Sequence, residues 1–410
     1  MKRVSDMGSV AQRAVILWLS GTQFADIHDI PEVQKLVKSG AMAELIPGPI
    51  TGPLAQAYQA FSGRSLANFG FFDTLVPHNY TVVKETSGRG GSPKLLPDLL
   101  RTVGWIVQYE ELALSELVSH LQGWTQNAPT TPTCVIAKCV PGTTFDKQII
   151  GQVLQTAQAW LGESGLLALV SETHPAPVTR FVNLNNFLAE MGVLERTEQG
   201  GDINWSNSLA YFVGHGQLWV NLLGRDPQGV VHPQDEYEEV RDSLIKALPR
   251  KLLDDGQEVI ERVYRKEELY SSEYLFCLPD LVVVFKPGYA PSPQSSRLAF
   301  DAATFTPVAD GRTVSAGVHP SCVKGLLLAS APAFAHGVAT TEEVPLTAVI
   351  PTVLHALGVE YVDMETPAVS ELFSPAYLQS HPIRSSMQSQ ELSEEDEELI
   401  VNHLRDLGYV

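Results

Sequence analysis

Six residues carry groups that could do chemistry together: Ser20, Thr51, Asp146, Glu172, His174 and His319. Carboxylates and imidazoles are acceptable ligands for a zinc-like divalent ion. Three of them suffice for a catalytic centre that keeps one coordination position open. Such an ion would activate a hydroxyl or a bound water for attack on an ester. Without a metal, Ser20, Thr51, His174 and His319 offer only hydroxyls and imidazoles. Nothing in their spacing assembles a nucleophile, a base and an orienting group. The sequence has no Gly-x-Ser-x-Gly elbow, no P-loop and no dinucleotide fingerprint. Taken alone, His319 is equally a loop histidine bonded to backbone. His174, beside Glu172 and Pro175, reads more readily as structural.

Holding such groups in place needs a scaffold, and the hydrophobic pattern describes one. Short apolar runs bounded by Gly, Pro and Ser alternate with helical patterns. That is the pattern of an α/β fold, a three-layer, mostly parallel sheet with helices on both faces. The first run is Ala14–Leu19, closed by Ser20-Gly21. A helix follows, with Pro31 in its first turn, Val33, Leu36 and Val37 on one face, and Gly40 at its end. A second strand–helix alternation spans Lys94 to Leu121. Thr133–Lys138 and Leu166–Ser171 read as core strands on either side of a helix near Ile149–Leu161.

From Phe181 to about Cys277 the texture changes. A helix from Leu184 to Met191, a strand pair at Leu209–Val213 and Leu218–Leu222, and a charged helix from Glu236 to Leu248 follow one another. The charges on that last helix read as a solvated face. The expected organisation is an inserted cap subdomain at 181–277 in a core formed by 1–180 and 278–390. The core is expected to resume at Leu281–Phe285, followed by Gly325–Ser330 and a helix from Leu346 to Leu357 that Pro351 kinks or begins. Gly88–Pro93 and Gly288–Ser296 read as loops. Residues 391–410 read as an amphipathic helix, capped by Ser393 and docked on the core.

The composition narrows the function classes. The 410 residues carry a formal charge of −19, which repels phosphate backbones and argues against a nucleic-acid partner. The apolar runs fall short of the ~20 residues of a membrane helix. The basic Met1-Lys2-Arg3 is followed by too short an apolar run for a signal peptide. Cys134 and Cys139 lie five apart on an expected strand, so they face opposite sides and share no metal. Buried reduced thiols and a cytoplasmic location are expected, with a small anionic ligand or a protein as partner and no membrane.

Several stretches, in order, carry a resemblance. Val220 to Val231 reads Val-Asn-Leu-Leu-Gly-Arg-Asp-Pro-Gln-Gly-Val-Val. Then come Glu-Tyr-Glu-Glu-Val-Arg-Asp, Val-Tyr-Arg-Lys-Glu-Glu-Leu-Tyr and Pro-Asp-Leu-Val-Val-Val-Phe. Gly317-Val318-His319, Pro351-Thr352-Val353-Leu354 with Leu357-Gly358, and Leu407-Gly408-Tyr409 complete the series. Together they resemble the type I phosphodiesterase and nucleotide pyrophosphatase branch of the alkaline phosphatase superfamily, over nearly the whole chain. The resemblance implies an inserted cap, a Thr or Ser nucleophile, and two zinc-like ions held by Asp and His.

Position by position, the implied ligands are largely replaced. The family's first strand ends in Asp-Gly, and here the same place reads Ser20-Gly21. Its Pro-x-x-Thr nucleophile stretch is similar to Pro49-Ile50-Thr51-Gly52-Pro53, which makes Thr51 the candidate nucleophile and Ser62 an alternative. On the family's spacing, Pro53 would occupy that place. Gly63–Gly70 keeps the glycines of the next motif, but Phe69 replaces its His. The two-ligand motif Pro-Asp-x-x-Gly-His is matched by Pro141–Asp146, where Gly142 replaces the Asp and Asp146 stands in at best for the His. Ser-Asp-His-Gly is matched by Ser171-Glu172-Thr173-His174, with Glu172 a conservative change and His174 one residue out of register. His319 is retained.

Two dications would bring four positive charges against one or two anions, so the family's two-metal centre is not expected. The expected protein is a non-catalytic member with a binding or assembly role and no cofactor. The alternative is an altered phosphoric-ester hydrolase with one zinc-like ion on His319, Glu172, His174 and Asp146, and with Thr51 as nucleophile.

Overall fold

The computed structural model describes residues 11–19, 22–46, 60, 63–65, 96–112, 114–126, 131–139, 146–172, 178–198, 201–270, 275–308, 324–361 and 364–383. Strand β1 (Arg13–Leu19) is buried from its second residue on. Helix α1 (Pro31–Ser39) starts on a proline, whose fixed φ suits the first turn and whose missing N–H is not needed there. Then come β2 (Ala41–Ile46), α2 (Leu96–Thr102), β3 (Ile106–Leu112), α3 (Leu114–Gln126), β4 (Thr133–Cys139), α4 (Lys147–Leu161) and β5 (Leu166–Ser171).

The chain continues through β6 (Val178–Val182), α5 (Leu184–Glu190), β7 (Ala210–Gly214), β8 (Gln217–Val220), α6 (Asp235–Lys251), β9 (Ile260–Arg265), β10 (Leu281–Phe285), β11 (Gly288–Pro291) and β12 (Phe305–Pro307). It ends, among the described residues, with β13 (Gly325–Ser330), β14 (Val338–Ala339), β15 (Val344–Pro345), α7 (Val349–Ala356) and α8 (Pro375–Ser380).

The main sheet has eight strands in the order β14-β2-β13-β5-β1-β4-β3, with β15 also paired to β2. Strands β3, β4, β1 and β5 are mutually parallel, and β13 runs antiparallel between β5 and β2. Alternation divides the side chains between two layers. Ala14, Ile16, Trp18, Ala168 and Val170 pack with Val349, Ile350, Val353 and Leu354 of α7. Val15, Leu17, Leu19, Leu167 and Leu169 pack with Val33 and Leu36 of α1 and with Ile150, Val153 and Leu154 of α4. The fold class is therefore the expected one, an α/β protein with helices on both faces of a mostly parallel sheet. Cys134 and Cys139 lie in opposite layers.

A second, antiparallel sheet has the order β9-β10-β8-β7, and β11-β6-β12 form a third. Here one expectation fails. Leu281–Phe285 does not resume the main sheet but is an inner strand of the second one, so the main sheet resumes only at β13. The run is buried on both sides, by Leu281, Val283 and Phe285 in one cluster and Val282 and Val284 in another. A doubly buried strand loses its alternation and reads like a parallel core strand. Gly288–Pro291, expected as loop, pairs as β11 with β6. The charged helix is not solvated all round either, because Arg241 is buried and pairs with Glu238 and Glu267. The segments 88–93 and 391–410 lie outside the described residues.

Candidate functional site

In a parallel sheet, ligand sites form beyond the carboxyl ends of the strands, where the strand order reverses. Here β1 is that place, with β4 on one side and β5 on the other. The register brings the ends together. Leu19 at the end of β1 pairs with Cys139 at the end of β4, and Ser171 at the end of β5 pairs with Leu326. Gly325, the first residue of β13, pairs with Leu45 near the end of β2. Because β13 is antiparallel, its start lies at this same edge. The strand ends flanking Ser20, Thr51, Asp146, His174 and His319 thus share one edge with Glu172. Ser20, Thr51, Ser62, His174 and His319 themselves lie outside the described residues.

Glu172, immediately after β5, is 8% exposed. Its Oε2 accepts a 2.5 Å hydrogen bond from the indole Nε1 of Trp18, which is itself buried. Trp18 packs with Val170 in the layer covered by α7, and the carboxylate meets it on that side. Glu172 thus satisfies a donor that the core would otherwise bury. Replacing Glu172 with Ala removes that acceptor and should lower stability by about 1–3 kcal/mol, whereas Glu172→Gln keeps an amide oxygen and should cost less. Urea unfolding followed by tryptophan fluorescence checks the difference.

Asp146 is the N-cap of α4, its Oδ1 accepting from the backbone N–H of Gln148 at 2.8 Å and of Ile149 at 3.4 Å. An Asp here satisfies two of the N–H groups that a helix start leaves open. Asp146→Ala should cost about 1 kcal/mol through the lost cap. A loss of that size in urea unfolding is the check. Of the two candidate carboxylates described, Asp146 caps a helix and Glu172 accepts from the indole of Trp18 through one oxygen. Among the described residues no three Asp, Glu, His or Cys side chains converge as a metal site requires. Cys139, at the same edge, has its thiol pushed up to about 11 by burial, so it is not a thiolate nucleophile at neutral pH.

The described part of the Gly63–Gly70 stretch is held from the C-terminal side. Gly63 has a positive φ of 70° and packs beneath Met364. Ser65 N donates to Glu365 Oε2 at 2.5 Å, and Glu365 N donates to Gly63 O. Burial, and then the charge of Glu365, pushes the Tyr270 hydroxyl well above its usual range. Tyr270 follows β9, so the region of the second sheet reaches the core here.

The sequence reading missed a buried ionic cluster built from the very segments that carry the resemblance. Asp280 is fully buried. Its Oδ1 accepts from Arg225 Nη1 at 2.7 Å, the Tyr237 hydroxyl at 2.7 Å and Lys266 Nζ at 3.3 Å. Its Oδ2 accepts from Arg225 Nη2 at 2.7 Å and Val220 N at 2.8 Å. Asp226 accepts from Arg225, from the Tyr211 hydroxyl and from Leu222 N. Burial alone would raise the Asp280 carboxyl, but Arg225 and Lys266 more than offset that and hold it far below the usual range. The signal was present as Gly-Arg-Asp and Pro-Asp, charged pairs set against apolar strands.

Comparison with known proteins gives a structural likeness only. No family model and no curated protein matches the chain. An inactive variant of murine ectonucleotide pyrophosphatase/phosphodiesterase 5 in complex with AMP superposes with a TM-score of 0.51 at 12% identity, covering 90% of this chain and 99% of that one. The same murine protein in another structure gives 0.51 and 12%, over 90% and 100% of the two chains. A mutant of the alkaline phosphatase PafA gives 0.50 and 10%, over 90% and 100%. The fold is thus shared with nucleotide pyrophosphatases and alkaline phosphatases.

Proposed function

We propose, from a fold shared with nucleotide pyrophosphatases and alkaline phosphatases, that this chain is a non-catalytic member with a binding or assembly role. The observation that carries the reading is Glu172. It stands where the resemblance implies a metal ligand, and one oxygen of its carboxylate instead accepts from the buried indole of Trp18. In the sequence, Ser20, Gly142 and Phe69 also replace implied ligands in three further stretches. Loss of donors from separate loops, on a scaffold that still folds, leaves an edge suited to a small anion or a protein. AMP, bound by the murine relative's inactive variant, is the first anion to try.

A second reading keeps one zinc-like ion on His319, Glu172, His174 and Asp146 with Thr51 as nucleophile, and the shared sheet edge favours it. Metal analysis of the purified protein, with an aryl phosphodiester assay in added zinc, separates the two. The first reading expects less than one zinc per chain and no turnover above background. Two ions per chain with turnover would overturn it. One ion with turnover that Glu172→Gln abolishes would establish the second.

A further inference from the structure

A cleft of about 400 Å³ lies in the helical layer, between the start of α1 and the first three turns of α4. Glu32 lines it and is only 8% exposed. Its Oε1 accepts from Gln155 Nε2 at 2.7 Å. Its Oε2 accepts no hydrogen bond from the described residues, opens into the cleft and faces Gly151. A buried carboxylate normally has a cation or several donors around it. The cation at this cleft, Lys147, is already taken: its Nζ donates to both oxygens of Asp29 at 2.8 Å. Asp29, Glu32 and Lys147 together leave one uncompensated negative charge.

Gly151 is a second, independent observation. It sits in a fifteen-residue helix, where glycine is the poorest helix former after proline. A Cβ there would stand 3.0 Å from Glu32 Oε2. The glycine therefore keeps open the space in front of the unpaired carboxylate oxygen. The starts of α1 and α4 also meet at this cleft, and helix N-termini attract anions. Asp146 already accepts the first N–H groups of α4, and Glu32 lies in the first turn of α1. Both positive ends are thus served by the protein's own carboxylates, and what is missing is a cation. Exposed carboxamides of Gln148, Gln152 and Gln155 at the rim add acceptors for a planar, multi-donor group.

We infer that this cleft is a binding site for a guanidinium-type cation, seated on Glu32 in the space left by Gly151. The cation is either a free small molecule or the arginine side chain of a partner protein. The test titrates the full chain with methylguanidinium at constant ionic strength, following the amide resonances of Gly151, Gln152 and Gln155. Saturable shifts are expected, with neutral methylurea about tenfold weaker or more, as loss of a charged hydrogen bond implies. Glu32→Gln and Gly151→Ala should each weaken methylguanidinium at least about fivefold. Gly151→Ala improves the helix and so keeps the fold. A capped Gly-Arg-Gly peptide that binds more tightly than methylguanidinium assigns the source to a partner's arginine, and one that fails to bind assigns it to a small molecule. No saturable shift at these amides, or shifts that survive Glu32→Gln, overturns the inference.

Discussion

Asp280→Ala is expected to lower the stability of the second-sheet region by about 3–5 kcal/mol, the usual cost of removing one member of a buried ion pair. The penalty comes less from lost attraction than from what stays behind. Arg225, with both Nη atoms aimed at Asp280, and Lys266, 7% exposed, would keep positive charge in a site built for a carboxylate. The backbone N–H of Val220 and the Tyr237 hydroxyl would also lose their acceptor. Asp280→Asn keeps the shape and one acceptor and should cost less. Hydrogen exchange at the amides of β8 and β10 reads the effect locally, which a two-state fit of a chain this long would not. A change below about 1 kcal/mol would mean that the Asp280 cluster does not hold this region together.

The same carboxylate predicts an acid response. Its pKa in the folded protein is depressed, so its contribution is complete above the ordinary carboxylate value of about 3.9 and is lost as pH falls below that value. Wild-type protection of β8 and β10 should decline on acidification below about pH 4, and Asp280→Asn should flatten that decline.

What the sequence revealed and what it hid follow from how each element is buried. β1, β4, β5 and α1 were legible because an unbroken apolar run, or a proline and a glycine framing an apolar face, has one reading. β2 was not legible. Its Ala-Met-Ala-Glu-Leu-Ile alternates between buried and open positions but has only one β-branched residue to mark it as a strand. β10 was seen but put in the wrong sheet, because burial on both faces looks the same whether neighbours run parallel or not. The candidate site was half legible. Motif order gave Glu172 and Asp146, but the tie from Glu172 to Trp18 spans 154 positions and emerges only from the pairing of β1 with β5. The role of Asp146 as a cap was available from its place seven residues past β4, at the head of an apolar-periodic run. The Asp280 cluster was hidden because its members are scattered from 220 to 280 and each alone is an ordinary surface residue type.

Gly325→Ala is the other change expected to act strongly, because it tests whether β13 sets the geometry of the candidate site. A Cβ at Gly325 would lie 2.3 Å from Ser171 O, 3.0 Å from the carbonyl carbon of Glu172 and 3.2 Å from Leu45 Cβ. Two of these are backbone atoms, so no rotamer change relieves them, and the start of β13 must move off the end of β5. Overpacking of this kind costs about 1–3 kcal/mol, and a backbone clash belongs at the upper end. Gly40→Ala supplies the control. Its Cβ would meet Ala329 O at 2.3 Å, the same kind of clash near the opposite end of β13. Both variants should lose similar stability in urea unfolding. Only Gly325→Ala should also change the environment of the Trp18 indole N–H, because only there does the displaced backbone belong to Glu172. If the indole N–H resonance is unmoved in Gly325→Ala but stability falls, the hydrogen bond from Trp18 to Glu172 does not depend on β13. If both variants shift it equally, the main sheet moves as one body and its carboxyl edge is not separately adjustable.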